Sequence, residues 1–173
     1  MKEQDRLNPE LLEDEELQNR YLTFWIDRQL FGMPIAQVVQ IVGLQEITEL
    51  PDQPDYAKGV ISLRGQIIPV MDVRLRFGKK EAPYTDRTCI IITRIFGGDF
   101  GLIVDEVDEV TDILPEKISL PPNIHKEKVN TYLTGIARLG TGDDEKNKVA
   151  LLVHPGRVLN EKALESLPEP VQE

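Results

Sequence analysis

The sequence predicts an all-β protein built as two small barrels related by pseudo-symmetry, and three observations predict it. Short β-branched and aromatic runs are separated by regular Gly and Pro punctuation. No long helical pattern occurs before the C-terminal end, and one block of residues occurs twice. The chain has 173 residues with a hydrophobic fraction of 40%, enough for a real core and of a size for one domain or two subdomains sharing a core.

The elements are expected in this order. Residues 1–20 read as an acidic tail or a short helix, with Asn8 as N-cap, Pro9 at the first helical position and Leu11, Leu12 and Leu17 as a thin apolar stripe. From Tyr21 the pattern turns to β: Tyr21 to Ile26 and Leu30 to Ile35 form a hairpin broken at Asp27-Arg28-Gln29. Gly59 to Leu63 and Gln66 to Val70 form a second pair, joined at Arg64-Gly65. Thr88 to Ile95 and Phe100 to Val104 follow around the turn Phe96-Gly97-Gly98-Asp99. Tyr132 to Leu139 and Lys148 to Val153 flank a polar loop, and Val158 to Leu167 carries the spacing of one closing helix.

The repeat sharpens this picture. The run from Phe31 to Ile41 aligns with Phe100 to Val110 at an offset of 69 residues. Both copies space their apolar residues by three, Ile35, Val38 and Ile41 in one and Val104, Val107 and Val110 in the other, which predicts a single helical or 3₁₀ turn. A second match follows in the same order, Tyr56 to Ile61 against Tyr132 to Ala137. Each half, of about 65 residues, is too small for an ample core of its own, so the two are expected to pack together. The folded body is taken as 21–160, the first barrel as roughly 21–85 and the second as roughly 86–160, with strand exchange between them allowed; 161–173 is an acidic helix end and tail.

Charge and composition exclude several functions. The formal net charge is −10, of which residues 1–20 carry −4 and residues 161–173 carry −3. An acidic chain is repelled by phosphate backbones and anionic lipid, so neither nucleic acid nor a membrane surface is an expected partner. No apolar run approaches the length of a spanning helix, and no apolar signal core stands near Met1. The only cysteine, Cys89, lies in an apolar run and reads as a small core residue of a protein kept in a reducing compartment. The two histidines, His125 and His154, have no ligand-spaced partners, and HExxH, CxxC pairs, GxSxG, GxxxxGK[ST] and GxGxxG are missing. No cofactor or metal is therefore expected. The acids Asp105, Glu106, Asp108, Glu109 and Asp112 lack calcium-loop order and read as the wet face of an edge element.

One feature stands apart. Arg64 sits at a tight turn between two apolar strands, flanked by Gly59 and Gly65. Such an arginine is either a solvated turn residue or, held over apolar surface, a protein-binding anchor.

The same residues carry a resemblance. Phe31 to Ile35, the turn Gly59 to Gly65 with Pro69, Val70 and Asp72, Arg74 to Gly78, Gly101 to Asp105, and Tyr132 to Ala137 resemble, in order, the motifs of the CheW family of chemotaxis coupling proteins, over about Tyr21 to Leu159. The resemblance implies two pseudo-symmetric SH3-like five-stranded β-barrels sharing a core, with short helical turns and a C-terminal helix. It also implies a non-catalytic adaptor. Its partners would be the regulatory domain of a CheA-type histidine kinase, itself CheW-like, and the cytoplasmic tips of methyl-accepting chemoreceptors. The receptor's helical hairpin would lie in the groove between the barrels, and the protein would be cytoplasmic and recruited to membrane-associated arrays.

Carried over residue by residue, Arg64 is the family's functionally sensitive turn arginine and Gly59 a tightly packed glycine. Val38 and Ile41 match apolar groove positions, and Val107 and Val110 match second-barrel positions near receptor or kinase contacts. For these four, core packing is the competing reading. Three residues depart from the family pattern: Ser62 replaces the usual Asn, Gln40 stands where an acid is common, and His154 replaces the acid expected after the last strand. Gln40 and Ser62 bear on partner choice near the groove, and His154 on the end of the second barrel. A CheW-like adaptor of another receptor-kinase pathway, such as surface motility, and a small β-barrel enzyme or ligand-binding protein are the alternatives.

Overall fold

Arg20–Ile26 (β1) and Gln29–Pro34 (β2) form the expected hairpin, with Tyr21 opposite Pro34 and Ile26 opposite Gln29. The computed structural model describes residues 17–120, 132–140 and 148–159. The suggested N-terminal helix around Asn8 and the closing helix beyond Leu159 lie outside them.

A 3₁₀ turn, Ile35–Gln37, leads into Val38–Gly43 (β3). Ala57–Leu63 (β4) and Gln66–Asp72 (β5) follow, then a short helix Val73–Arg76 (α1), Cys89–Ile95 (β6), Gly98–Val104 (β7) and Glu106–Asp112 (β8). A 3₁₀ turn at Pro115–Lys117 precedes Ile118–Ser119 (β9), and Leu133–Arg138 (β10), Val149–Val153 (β11) and Pro155–Val158 (α2) complete the described chain. Gly98 and Asp99 pair with Ile95 and Arg94, so the predicted four-residue turn is a two-residue one.

The strands form two sheets, a six-stranded one in the order β8-β1-β2-β11-β10-β9 and a five-stranded one in the order β3-β6-β7-β5-β4. The two-residue β9 makes the sixth strand, where five were expected. Each sheet curls into an SH3-like barrel. The sheets do not divide at residue 85: the hairpin β1–β2 lies among the strands of the second repeat, and β6–β7 among those of the first. Adding the offset of 69 turns β1, β2 and β3 into β6, β7 and β8, so each repeat gives its hairpin to the other's sheet.

Three clusters of buried side chains follow from this exchange. A shared core takes Leu22, Phe24 and Met33 from one sheet and Ile91, Leu102 and Val104 from the other. Each barrel also has a small core of its own, Ile61, Ile68, Ile90 and Ile92 in one and Leu30, Ala150 and Leu152 in the other. The run Ile90-Ile91-Ile92 is continuous because β6 is covered on both faces: Ile91 faces the shared core while Ile90 and Ile92 face the inside of the barrel.

Two polar clamps join the halves. Arg74 on α1 takes Asp105 with two nitrogens, Nη2 at 2.5 Å from Oδ2 and Nε at 3.3 Å from Oδ1, and reaches Asp27 at 3.3 Å. Arg76 lies between the two repeated tyrosines, its guanidinium carbon 5.2 Å from the Tyr56 ring centre and 4.7 Å from that of Tyr132. It also donates to the Tyr132 hydroxyl, and to the Val158 carbonyl at 3.0 Å.

The predicted helical turn is present after the first copy of the repeat and needs correction in the second. In the first copy only Ile35–Gln37 is a 3₁₀ turn, and in the second a bend at Asp105 leads straight into β8. The three-residue spacing from Val38 to Ile41 and from Val107 to Val110 comes from β-bulges. Val38 and Gln40 stand opposite the neighbours Thr93 and Ile92, and Val107 and Val110 oppose Phe24 and Leu22. One extra residue on β3 and on β8 returns residues three apart to the same face. The second bulge is filled by the buried Thr23 hydroxyl, which accepts from Glu109 N–H at 3.1 Å.

The turn between β6 and β7 places Phe96 at φ 53° and Gly97 at φ 78°, with Phe96 76% exposed. A phenylalanine in the left-handed region is strained, and here it packs on little, whereas Asn-Gly suits such a turn. Phe96→Asn is expected to raise stability by about 0.5–1 kcal/mol in urea unfolding.

Candidate protein-binding surface

The bulges decide how β3 and β8 present their side chains. Residues opposite one another in a sheet face the same side, so Val38 and Ile41 share the face of Ile91, and Val107 and Val110 that of Phe24 and Leu22. Val38 and Val107 pack against the shared core, whereas Ile41 is 40% exposed and Val110 50% exposed. The competing readings therefore divide: the first valine of each pair is core, and the second apolar residue is rim. Gln40, opposite Ile92, lies on the other face of β3. Val39, the bulged residue, is also exposed; sequence spacing did not single it out, because a bulge leaves no mark in a hydrophobic pattern.

Arg64 lies at the opposite edge of the five-stranded sheet. Its φ is 52° and that of Gly65 is 80°, a turn whose twist matches the strands it joins. The side chain is exposed and makes no ion pair or hydrogen bond among the described residues. Ser62 is exposed opposite Ile67, itself 45% exposed. The tip thus presents a cation beside an apolar side chain, the pairing a protein-binding anchor needs. Ile67 was the missing part of that patch, legible only once β4 and β5 are in register.

Gly59 is buried and serves packing. Its φ is 138°, and a Cβ there would stand 2.0 Å from the Thr48 carbonyl oxygen. This close approach lets Thr48 and Val60 exchange two backbone hydrogen bonds of 2.9 Å, closing the barrel next to β4. The second repeat copies the device, since Gly135 meets Ile118 and Ser119 where Ile136 pairs with Ser119.

The acidic residues of β8 line an edge strand of the six-stranded sheet, as expected of a wet edge. Among the described residues no group of three or more His, Cys, Asp or Glu is placed to hold a metal ion. A cleft of about 210 Å³ is lined by Asp72, Arg74, Tyr84, Thr85, Thr88 and Asp105. Its polar groups already engage one another: Arg74 holds Asp105, and the Tyr84 hydroxyl donates to Asp72 at 2.8 Å. Burial, and then that carboxylate, push the Tyr84 hydroxyl well above the usual phenol range.

Two SH3-like barrels on a shared core, one closed beside Gly59 and the other beside Gly135, define a class of duplicated β-barrel domain. A CheW-like domain model matches residues 20–163, and the chain belongs to the CheW-like family. It is 31% identical over 129 residues to a chemotaxis protein CheW of Klebsiella aerogenes, covering 75% of this chain and 78% of that one. The crystal structure of the scaffolding protein TtCheW from Thermoanaerobacter tengcongensis superposes with a TM-score of 0.69 at 34% identity, covering 78% of this chain and 88% of that one. Protein PilI of Pseudomonas aeruginosa is 28% identical over 111 residues, covering 59% of this chain and 62% of that one. Among the described residues no helix is long and apolar enough to cross a membrane.

Proposed function

We propose that this chain is a non-catalytic coupling adaptor that holds the regulatory domain of a CheA-type histidine kinase and the cytoplasmic tips of chemoreceptors in one assembly. The observation that carries the reading is Arg64, an exposed arginine beside exposed Ile67 with no ion-pair or hydrogen-bond partner among the described residues. A cation left unpaired next to apolar surface gains most when a partner covers both. The rim residues Ile41 and Val110 suit an amphipathic helix, which needs apolar surface with polar edges; the acids of β8 supply one such edge. In this reading Ser62 and Gln40 adjust partner choice, Gln40 from the far face of β3. The protein acts in the cytoplasm and is recruited to arrays at the membrane. Its effect on the kinase is positional, through contacts that differ between active and inactive assemblies.

Arg64→Ala is expected to fold normally and to weaken the ternary assembly by about 1–3 kcal/mol, measured by co-sedimentation with receptor fragments and kinase. Unchanged assembly would remove Arg64 from the interface. The likeness to Protein PilI favours a second reading, an adaptor of the same kind in another receptor-kinase pathway such as surface motility. Affinity capture with the purified chain separates the two by which kinase and receptors it recovers.

A further inference from the structure

The short helices α1 and α2 occupy equivalent places in the two repeats. Val70 pairs with Gly101 and Leu152 with Gly32, glycines related by the repeat, so Asp72 and His154, each two residues on, correspond. Both cap the helix that follows. Asp72 Oδ1 accepts from Leu75 N–H at 3.2 Å, and His154 Nδ1 accepts from Gly156 N–H at 2.9 Å. The first repeat thus caps with a carboxylate and the second with an imidazole, whose acceptor nitrogen becomes a donor once it takes up a proton.

The cap also fixes the tautomer. With Nδ1 accepting, the ring proton is on Nε2, which faces the side-chain amide of Gln37 at 2.5 Å. The amide nitrogen Nε2 of Gln37 is placed at this contact, and its Oε1 is buried without a partner. Turning the amide brings Oε1 to the ring, where the Nε2–H donor of the imidazole meets an acceptor instead of a second donor. Gln37 ends the 3₁₀ turn whose Ile35 carbonyl accepts the Val38 N–H, and β3 begins there.

We propose that His154 is a positioning residue, a proton-sensitive latch through which the N-cap of α2 holds the start of β3. In the neutral ring both nitrogens are used, one for Gly156 and one for Gln37. Protonation sets an Nδ1–H against the Gly156 N–H and ends the cap. Charged groups around the ring are few. Arg157 of α2 opposes a second positive charge, and Arg76 of α1 reaches α2 at the Val158 carbonyl. The turn Ile35–Gln37 has no ionisable side chain, and Arg94 of β6 is engaged by Asp99 at 2.8 Å. Burial, and then Arg157, hold the imidazole below its ordinary value of 6.5. A depressed histidine value means the folded state binds fewer protons than the unfolded one. The latch is therefore complete above about pH 6.5 and is lost as pH falls through the interval below it. That β3 carries binding residues rests on the function proposed above; the latch itself concerns the isolated chain and is tested there.

The test is nuclear magnetic resonance on the ¹⁵N-labelled full chain. Ring nitrogen shifts at pH 7.5 should report the Nε2–H tautomer. Exchange protection of the Val38 amide, corrected for intrinsic rates, should fall below pH 6.5 by up to about tenfold per pH unit, the limit for one proton. His154→Asn, which can cap at any pH, should flatten that dependence. Gln37→Ala should keep the titration of the Gly156 amide while abolishing that of Val38. An Nδ1–H tautomer, or a pH dependence at Val38 that persists in both variants, would overturn the latch. Either result would leave the Arg64 reading standing, and loss of the Arg64 effect would leave the latch standing.

Discussion

Replacing Gly59 with alanine is expected to cost about 4 kcal/mol, the largest single-methyl effect in the described chain. Two penalties add at this position. The backbone angle of 138° is one that residues bearing a Cβ rarely adopt, and the new methyl would overlap the Thr48 carbonyl oxygen at 2.0 Å and its carbon at 2.8 Å. A side chain in the way can rotate; a backbone carbonyl that is itself paired with Val60 has to move with the whole 44–56 connection. The pseudo-equivalent Gly135→Ala meets a side-chain methyl, Ile118 Cγ2 at 2.6 Å, without the left-handed backbone angle, and is expected to cost about half as much, about 2 kcal/mol. Urea unfolding of the two variants checks the order, and equal losses would remove the backbone collision as the cause. A functional defect at Gly59 then arises from a displaced barrel closure, without any contact made by the glycine.

Arg76→Ala is expected to lose about 3 kcal/mol in the same measurement. The guanidinium lies against both repeated tyrosines and gives hydrogen bonds to the Tyr132 hydroxyl and to the Val158 carbonyl. Cation–π contacts away from full solvent are worth about 0.5–2 kcal/mol each, and charged hydrogen bonds about 1.5–3 kcal/mol. These contributions overlap, so the sum is not the expectation. Arg76→Lys keeps the charge but not the flat, forked group that serves a ring and a carbonyl together, and it should recover only part of the loss. Full recovery by lysine would show that charge alone matters there.

Much of this architecture was legible in the sequence because it is local or repeated. The hairpin at Asp27-Arg28, the turn at Arg64-Gly65 and the offset of 69 residues all depend on neighbours or on exact recurrence. The misreading of Val38 to Ile41 and of Val107 to Val110 has a definite cause: a bulge gives a strand the three-residue spacing that a helical turn also gives, and pattern alone does not separate them. The sequence marked Gly59 as special but could not supply Thr48 as the reason. The approach of Gln37 to His154 spans 117 positions and leaves no trace in either neighbourhood. Gln40 and Ser62 were grouped by nearness to motifs, whereas the register puts Gln40 opposite Ile92 and Ser62 opposite Ile67, on strands at the two ends of one sheet.

The exchange of hairpins between the repeats bears on synthesis. β2 has β1 beside it almost at once, but its other neighbour is β11, where Phe31 pairs with Leu151. A ribosome has to release every strand between β2 and β11 before that parallel ladder can form, so an apolar strand edge waits through all of that synthesis. Contacts this distant in sequence slow folding and expose edges to wrong partners. The arrangement that welds two small barrels into one body is therefore also what makes β2 depend on the synthesis of β11, or on a chaperone that covers β2 until β11 arrives.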